Sequence, residues 1–131
     1  MNLILVDDDP DEAYILKQAL TQIDEALDLI YFESGDSLLP AIKSVADKKS
    51  VVLLDLNMPH YSGIDLLKNI KKDTKLNNTP VIMYSNSSSP QDIQKCYDNG
   101  ANSYVKKPQG LGDTKEFLSV LSNYWQRINK T

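Results

Sequence analysis

Five short apolar runs, set at fairly even intervals, leave this chain few folds to choose from. They are LILV at 3–6, LIYF at 29–32, VVLL at 51–54, VIMY at 81–84 and SYV at 103–105. The first four are continuous rather than alternating, as in strands buried on both faces of a parallel sheet. Helical stripes lie between and after them. Ala13, Leu16, Leu20 and Ile23 form one; Leu38, Leu39, Ile42, Val45 and Ala46 a second; Leu66, Leu67 and Ile70 a third. Ile93, Cys96 and Tyr97 make a short fourth, and Phe117, Leu121, Tyr124 and Ile128 a long fifth. Strand and helix alternate five times. The order predicts an α/β domain of three layers, with helices on both faces of the sheet.

The punctuation agrees. Ser89-Pro90 reads as an N-cap followed by the first helical residue, and Asn99-Gly100 as a helix end. Pro40 is tolerable only near a first turn, so the second helix is expected to start around Asp36 or Ser37. The 131 residues suit one domain, spanning 1–131 with its core at about 2–128. Only 23 residues follow Pro108, and one helix uses them, so no output domain is expected.

Composition excludes several classes of function. No apolar run approaches the length of a membrane span. The opening MNLILVDDD has no basic region and turns acidic too early for a signal peptide. The lone Cys96 excludes an internal disulfide and suits a reducing cytoplasm, the expected location. The glycosylation-like triplets at Asn77 and Asn86 therefore read as chance. With a net charge of −4 and only paired lysines for basic patches, direct DNA binding is not expected.

The stretch LVDDDPDE at 5–12 crowds like charges behind the first apolar run. Asp9 before Pro10 reads as another N-cap, with Glu12 at capping-box spacing. Acids also suit a helix N-terminus, which gives Asp9, Asp11 and Glu12 a structural explanation. Asp7 and Asp8 need another. They fall at the carboxyl end of the first strand, the edge where open α/β sheets bind ligands. Asp55 directly follows the third buried run, where a carboxylate is costly unless solvated, paired or bound to a cation. If those two strands are neighbours, three carboxylates converge. Hard divalent cations such as Mg²⁺ take oxygen ligands of this kind. Ser85 follows the fourth run, and Lys106 and Lys107 the fifth. Acids, a hydroxyl and an ammonium at strand ends suggest phosphoryl transfer, which works by positioning and charge stabilisation.

These residues resemble the receiver domain of two-component response regulators, over nearly the whole chain. The matching pieces are Asp7-Asp8, DLNMPHYSG after strand three, Ser85, and YVKKP at strand five. The resemblance implies a doubly wound, flavodoxin-like (βα)₅ fold with sheet order 2-1-3-4-5. It implies that Asp55 accepts a phosphoryl group from a histidine kinase or histidine phosphotransfer protein. Asp7, Asp8, Asp55 and the backbone carbonyl of Asn57 would hold Mg²⁺ or Mn²⁺. Lys107, the Ser85 hydroxyl and the Asn86 amide would bind phosphoryl oxygens. Ser85 and Tyr104 would act as the switch for the face made by helix four, strand five and helix five, which would meet a downstream protein as a monomer or a phosphorylation-dependent homodimer. In that family the bond between Lys107 and Pro108 is cis.

Two departures stand out: Ser85 where threonine is commoner, and Asn86 where a small residue is usual. Asn57 and Ser87, each two residues past a site residue, are candidates for tuning hydrolysis through the attacking water. Lys106, His60 and Cys96 read as bystanders, and Tyr124 and Trp125 as core. Two other functions share parts of the pattern. A receiver-shaped interaction module without phosphate would not need the acid–serine–lysine set. A phosphatase with an aspartyl nucleophile would want a second aspartate where Asn57 stands.

Overall fold

The computed structural model describes residues 1–33, 38–45, 49–59 and 62–130. Five strands, β1 (Asn2–Val6), β2 (Asp28–Phe32), β3 (Ser50–Leu54), β4 (Val81–Ser85) and β5 (Ser103–Lys106), alternate with five helices. The helices are α1 (Pro10–Leu20), α2 (Leu38–Val45), α3 (Gly63–Lys72), α4 (Pro90–Asp98) and α5 (Gly110–Asn123). All strand pairs are parallel, in the order 2-1-3-4-5. Among the described residues no helix is long and apolar enough to cross a membrane.

The continuous apolar runs follow from two cores, one on each face. Alternate residues of a strand point to opposite sides. Ile4, Val6, Val52 and Leu54 pack with Ile42, Leu66, Leu67, Ile70 and Cys96 of α2, α3 and α4. Leu3, Leu5, Val51 and Leu53 pack with Ala13, Leu16, Leu118 and Leu121 of α1 and α5. A strand served by both cores has no place for a polar residue until it ends.

Local chemistry sets the helix ends. Asp9 accepts the Asp11 N–H at 3.0 Å, with Pro10 opening α1. Ser89 accepts the Asp92 N–H at 3.4 Å, with Pro90 opening α4. Gly100, at φ +100°, follows the end of α4 in the left-handed conformation that favours glycine. Pro40 is the third residue of α2, inside its first turn; the expected start at Asp36 or Ser37, and Ala46 of its stripe, lie outside the described residues.

Several expectations are corrected. The β2 run is only half-buried, because β2 is an edge strand with a neighbour on one side. Tyr97 is 45% exposed, so α4 buries Cys96 but not the whole stripe. The long stripe of the last helix fails in the same way: Tyr124 is 47% and Ile128 56% exposed. The buried residues of α5 are Thr114, Leu118, Leu121 and Ser122. Beyond Asn123 the chain turns π-helical over Tyr124–Ile128, with Asn129 N–H donating to Tyr124 O at 2.6 Å. The wider turn breaks the 3.6-residue phase on which the stripe was counted. Tyr124, where the wider turn begins, faces solvent, and Trp125 is half-buried against the α1–α5 core. Finally, no peptide bond among the described residues is cis. Lys107–Pro108 takes the trans form that X–Pro bonds favour, and Gly110, at φ +80°, accommodates the turn into α5.

Candidate phosphoryl and metal site

The sheet register builds the site. Val6 pairs with Phe32 on one side and Leu54 on the other. The ladder runs one residue further: Asp7 N–H donates to Phe32 O at 3.2 Å and Asp55 N–H to Val6 O at 2.9 Å. Asp7 and Asp55 therefore leave the sheet side by side. One carboxylate oxygen from each of Asp7, Asp8 and Asp55 can be chosen so that all three lie within 4.8 Å of one another. Asp7 and Asp55 are buried and Asp8 half-buried.

Lys107 reaches the acids from β5. Its Nζ lies 2.8 Å from Asp7 Oδ2 and 3.7 Å from both Asp55 Oδ1 and Glu12 Oε1. Burial alone would pull the ammonium's pKa down. The Asp7 contact and the charges of Asp55, Asp7 and Glu12 outweigh it and hold the group above the usual lysine range. For Asp55 the balance runs the other way. Burial, then the charge of Asp7, pushes its carboxyl up to about 6, against the opposing pull of Lys107 and the Asn57 backbone hydrogen bond.

The acid side is held by backbone contacts. Asp7 Oδ1 accepts the Asp9 N–H at 2.9 Å. Tyr31 of β2 donates its hydroxyl to the Asp7 carbonyl at 2.9 Å; burial, then the nearby acids, pushes that phenol up to about 12. Behind Asp55, Gly63 opens α3 against the loop, its N–H on Leu56 O at 3.2 Å. A Cβ at Gly63 would meet Asp55 O at 2.2 Å and Leu56 Cα at 2.9 Å, so only glycine fits there.

On the other side stands Ser85, buried at the end of β4 in register with Lys106. The Lys107 N–H donates to Ser85 O at 2.8 Å. The Ser85 hydroxyl oxygen accepts the Ser87 N–H at 3.1 Å, and Tyr104 donates its hydroxyl to Ser87 O at 2.8 Å. Asn57, Asn86 and Lys106 are exposed at the rim. The hydroxyl of Ser87, a candidate for contact with an attacking water, donates to Asp92 of α4 at 2.7 Å. His60 lies outside the described residues.

Three contributors escaped sequence reasoning. Glu12 does not close a capping box. The Asp9 N–H is taken by Asp7 Oδ1, and the Glu12 carboxylate turns to Lys107, whose buried charge attracts it. Its spacing from Asp9 was visible, but the direction of its side chain was not. Tyr31 sat inside an apolar run, and Gly63 closed the quoted DLNMPHYSG segment without a role.

The acid cluster suits a divalent cation. It offers oxygen donors only, the set that hard cations prefer. Asp7 Oδ2 is buried and, the Lys107 ion pair apart, has no hydrogen-bond partner among the described residues.

Fold and acid cluster together define the chain as a doubly wound α/β protein with an acidic pocket at the carboxyl edge of its sheet. The family model for the response regulator receiver domain matches residues 3–119. The chain is 31% identical to two-component response regulator ORR13 of Oryza sativa, over 92% of this chain and 97% of that one. It is 30% identical to chemotaxis protein CheY1 of Helicobacter pylori, over 92% and 96%. A solved response regulator of red-light signalling in R. palustris superposes with a TM-score of 0.84 at 27% identity, covering 99% and 97% of the two chains. The chain belongs to the response regulator receiver domain family: it is a receiver domain of a two-component response regulator. Receiver domains are signalling domains rather than enzymes in the ordinary sense, and they bind Mg²⁺ or Mn²⁺ at an acidic pocket, where this chain has Asp7, Asp8 and Asp55.

Proposed function

We propose that the protein is a phosphorylation-dependent switch in which Asp55 takes a phosphoryl group from a phosphohistidine on a sensor kinase or histidine phosphotransfer protein. One observation carries this reading: a buried carboxylate at the end of β3, beside the β1 acids and 3.7 Å from the Lys107 ammonium. An Asp55 oxygen attacks phosphorus, the bond from phosphorus to the histidine nitrogen breaks, and the imidazole leaves with that electron pair. Charge stabilisation and alignment do most of the work in such a transfer.

Asp7, Asp8, Asp55 and the Asn57 carbonyl would hold Mg²⁺ or Mn²⁺. Bound there, the ion offsets the repulsion among the acids and draws charge from the phosphoryl oxygens. Lys107 moves its ammonium from Asp7 to a phosphoryl oxygen. The Ser85 hydroxyl and the Asn86 amide bind another. As Ser85 shifts toward the new group, the loop after β4 and Tyr104 follow, which reshapes the face of α4, β5 and α5 for a downstream protein or a second copy.

Incubation with acetyl phosphate and MgCl₂, followed by intact mass measurement, tests this. The wild type should gain one phosphoryl group and Asp55→Asn none. A wild type that gains nothing would indicate an interaction module without phosphate. Repeated turnover of unrelated phosphate esters would indicate an enzyme.

A further inference from the structure

Among the described residues three carboxylates reach the Lys107 ammonium: Asp7 at 2.8 Å, and Asp55 and Glu12 each at 3.7 Å. Asp7 and Asp55 belong to the acid cluster that suits a divalent cation, and Glu12 does not. Glu12 lies in the first turn of α1, one helical turn ahead of the fully buried Leu16. The packing of α1 on the sheet therefore carries its side chain toward the site. That side chain is left 22% exposed. No capping role explains it, since the Asp9 N–H is taken by Asp7 Oδ1. Burial pushes the Glu12 carboxyl up, Lys107 pulls against that, and Asp7 and Asp9 add to the push. An acid so placed is costly to the fold unless an ammonium faces it.

A dication among Asp7, Asp8 and Asp55 competes with the ammonium for the same carboxylates, and it repels the ammonium as well. Lysine carries a compact charge on a flexible four-carbon stem, so the ammonium can pivot. Glu12 is the one carboxylate of its three that lies outside the cation's cluster. It thus offers the ammonium a place that the cation leaves open. Toward a phosphoryl oxygen its effect is reversed. There Glu12 competes with the anion for the same ammonium and adds a like charge beside it.

We propose that Glu12 is a positioning residue, a second seat for the Lys107 ammonium that favours the divalent cation and disfavours the phosphoryl group. The inference rests on Asp55 as the phosphoacceptor and on the acid cluster as the metal site. It adds a residue outside that cluster which trades affinity for one ligand against affinity for the other.

The test is calorimetry on wild type, Glu12→Gln, Glu12→Asp and Asp11→Asn, with MgCl₂ alone and then with beryllofluoride, a mimic of the phosphoryl group, in saturating MgCl₂. Glu12→Gln should weaken Mg²⁺ binding by about 3- to 10-fold and tighten beryllofluoride binding by about 3- to 10-fold, the worth of one partly buried charge at this range. Glu12→Asp keeps the charge on a shorter stem and should fall between wild type and Glu12→Gln on both constants. Asp11→Asn removes the same formal charge from an exposed neighbour and should move neither constant by more than about 2-fold. Damage to the fold would weaken both ligands, so opposite shifts cannot come from misfolding. If Glu12→Gln leaves both constants unchanged or moves them the same way, or if Asp11→Asn gives the same pair of shifts, the second seat is wrong. If wild type binds no Mg²⁺, the metal reading of the acid cluster falls; if it binds Mg²⁺ but not beryllofluoride, the phosphoacceptor reading falls. In either case the role of Glu12 falls with it.

Discussion

The acid rim of the site, at the ends of β1 and β3, and its hydroxyl rim, the loop after β4, are fastened in different ways. On the acid rim the main chain does the holding. Asp7 is fixed by the Asp9 N–H and by Tyr31, and Asp55 stands on strand backbone against which Gly63 is pressed. On the hydroxyl rim, Ser85, Ser87 and Ser89 hold one another through bonds that rotation about a single χ angle can break. Repelling charges need a rigid frame, whereas a part that must move needs contacts that are individually weak. The difference predicts that substitutions on the acid rim cost stability, while those on the hydroxyl rim chiefly change populations.

Lys107→Ala should break the comparison hardest. It leaves Asp7 and Asp55 buried without the facing ammonium, and losing one partner of a buried pair costs about 3 kcal/mol or more. Urea unfolding would show the loss, and millimolar MgCl₂ should return part of it. Gly63→Ala comes next. Its Cβ would collide with main chain that cannot turn aside, and overpacking of this kind costs about 2 kcal/mol. An unchanged urea midpoint would mean that the acid rim yields more easily than its geometry implies.

On the hydroxyl rim, Ser89→Ala removes the N-cap of α4 and should cost only about 1 kcal/mol in the same measurement. The far end of the molecule supplies a control. There Glu25 accepts from Ser122 at 2.7 Å and from Arg127 at 3.2 Å, and these bonds hold its carboxyl below the usual range. Its folded pKa lies below its unfolded one. The group therefore stabilises the fold above pH 4.5, the unfolded value, and that contribution is lost as pH falls through the folded pKa. Glu25→Gln should flatten this small slope in thermal unfolding curves without altering beryllofluoride binding.

Much of this was legible in the chain, for reasons that differ by residue. The apolar runs of β1, β3 and β4 could be read because strands covered on both faces exclude polar side chains. Asp7, Asp8 and Asp55 were conspicuous because carboxylates directly behind such runs need a partner. The adjacency of β1 and β3 was not in the residues themselves; it came with the family resemblance, and the register then placed the acids together. The half-exposed β2 could not be told from a central strand, since an apolar run does not reveal how many neighbours a strand has. Glu12 was assigned to its own helix because spacing along a chain says nothing of a lysine 95 positions later. The π turn at Tyr124–Ile128 likewise leaves no mark on hydrophobic periodicity except its failure.

Lys107 belongs to both rims at once. Its main-chain N–H is bound to Ser85 O at 2.8 Å, and its ammonium lies at the same distance from Asp7. The frame and the moving part thus share a hinge pin. One residue's worth of covalent chain therefore ties the end of β4 to the acids, so that neither rim can be displaced at Lys107 without the other being felt.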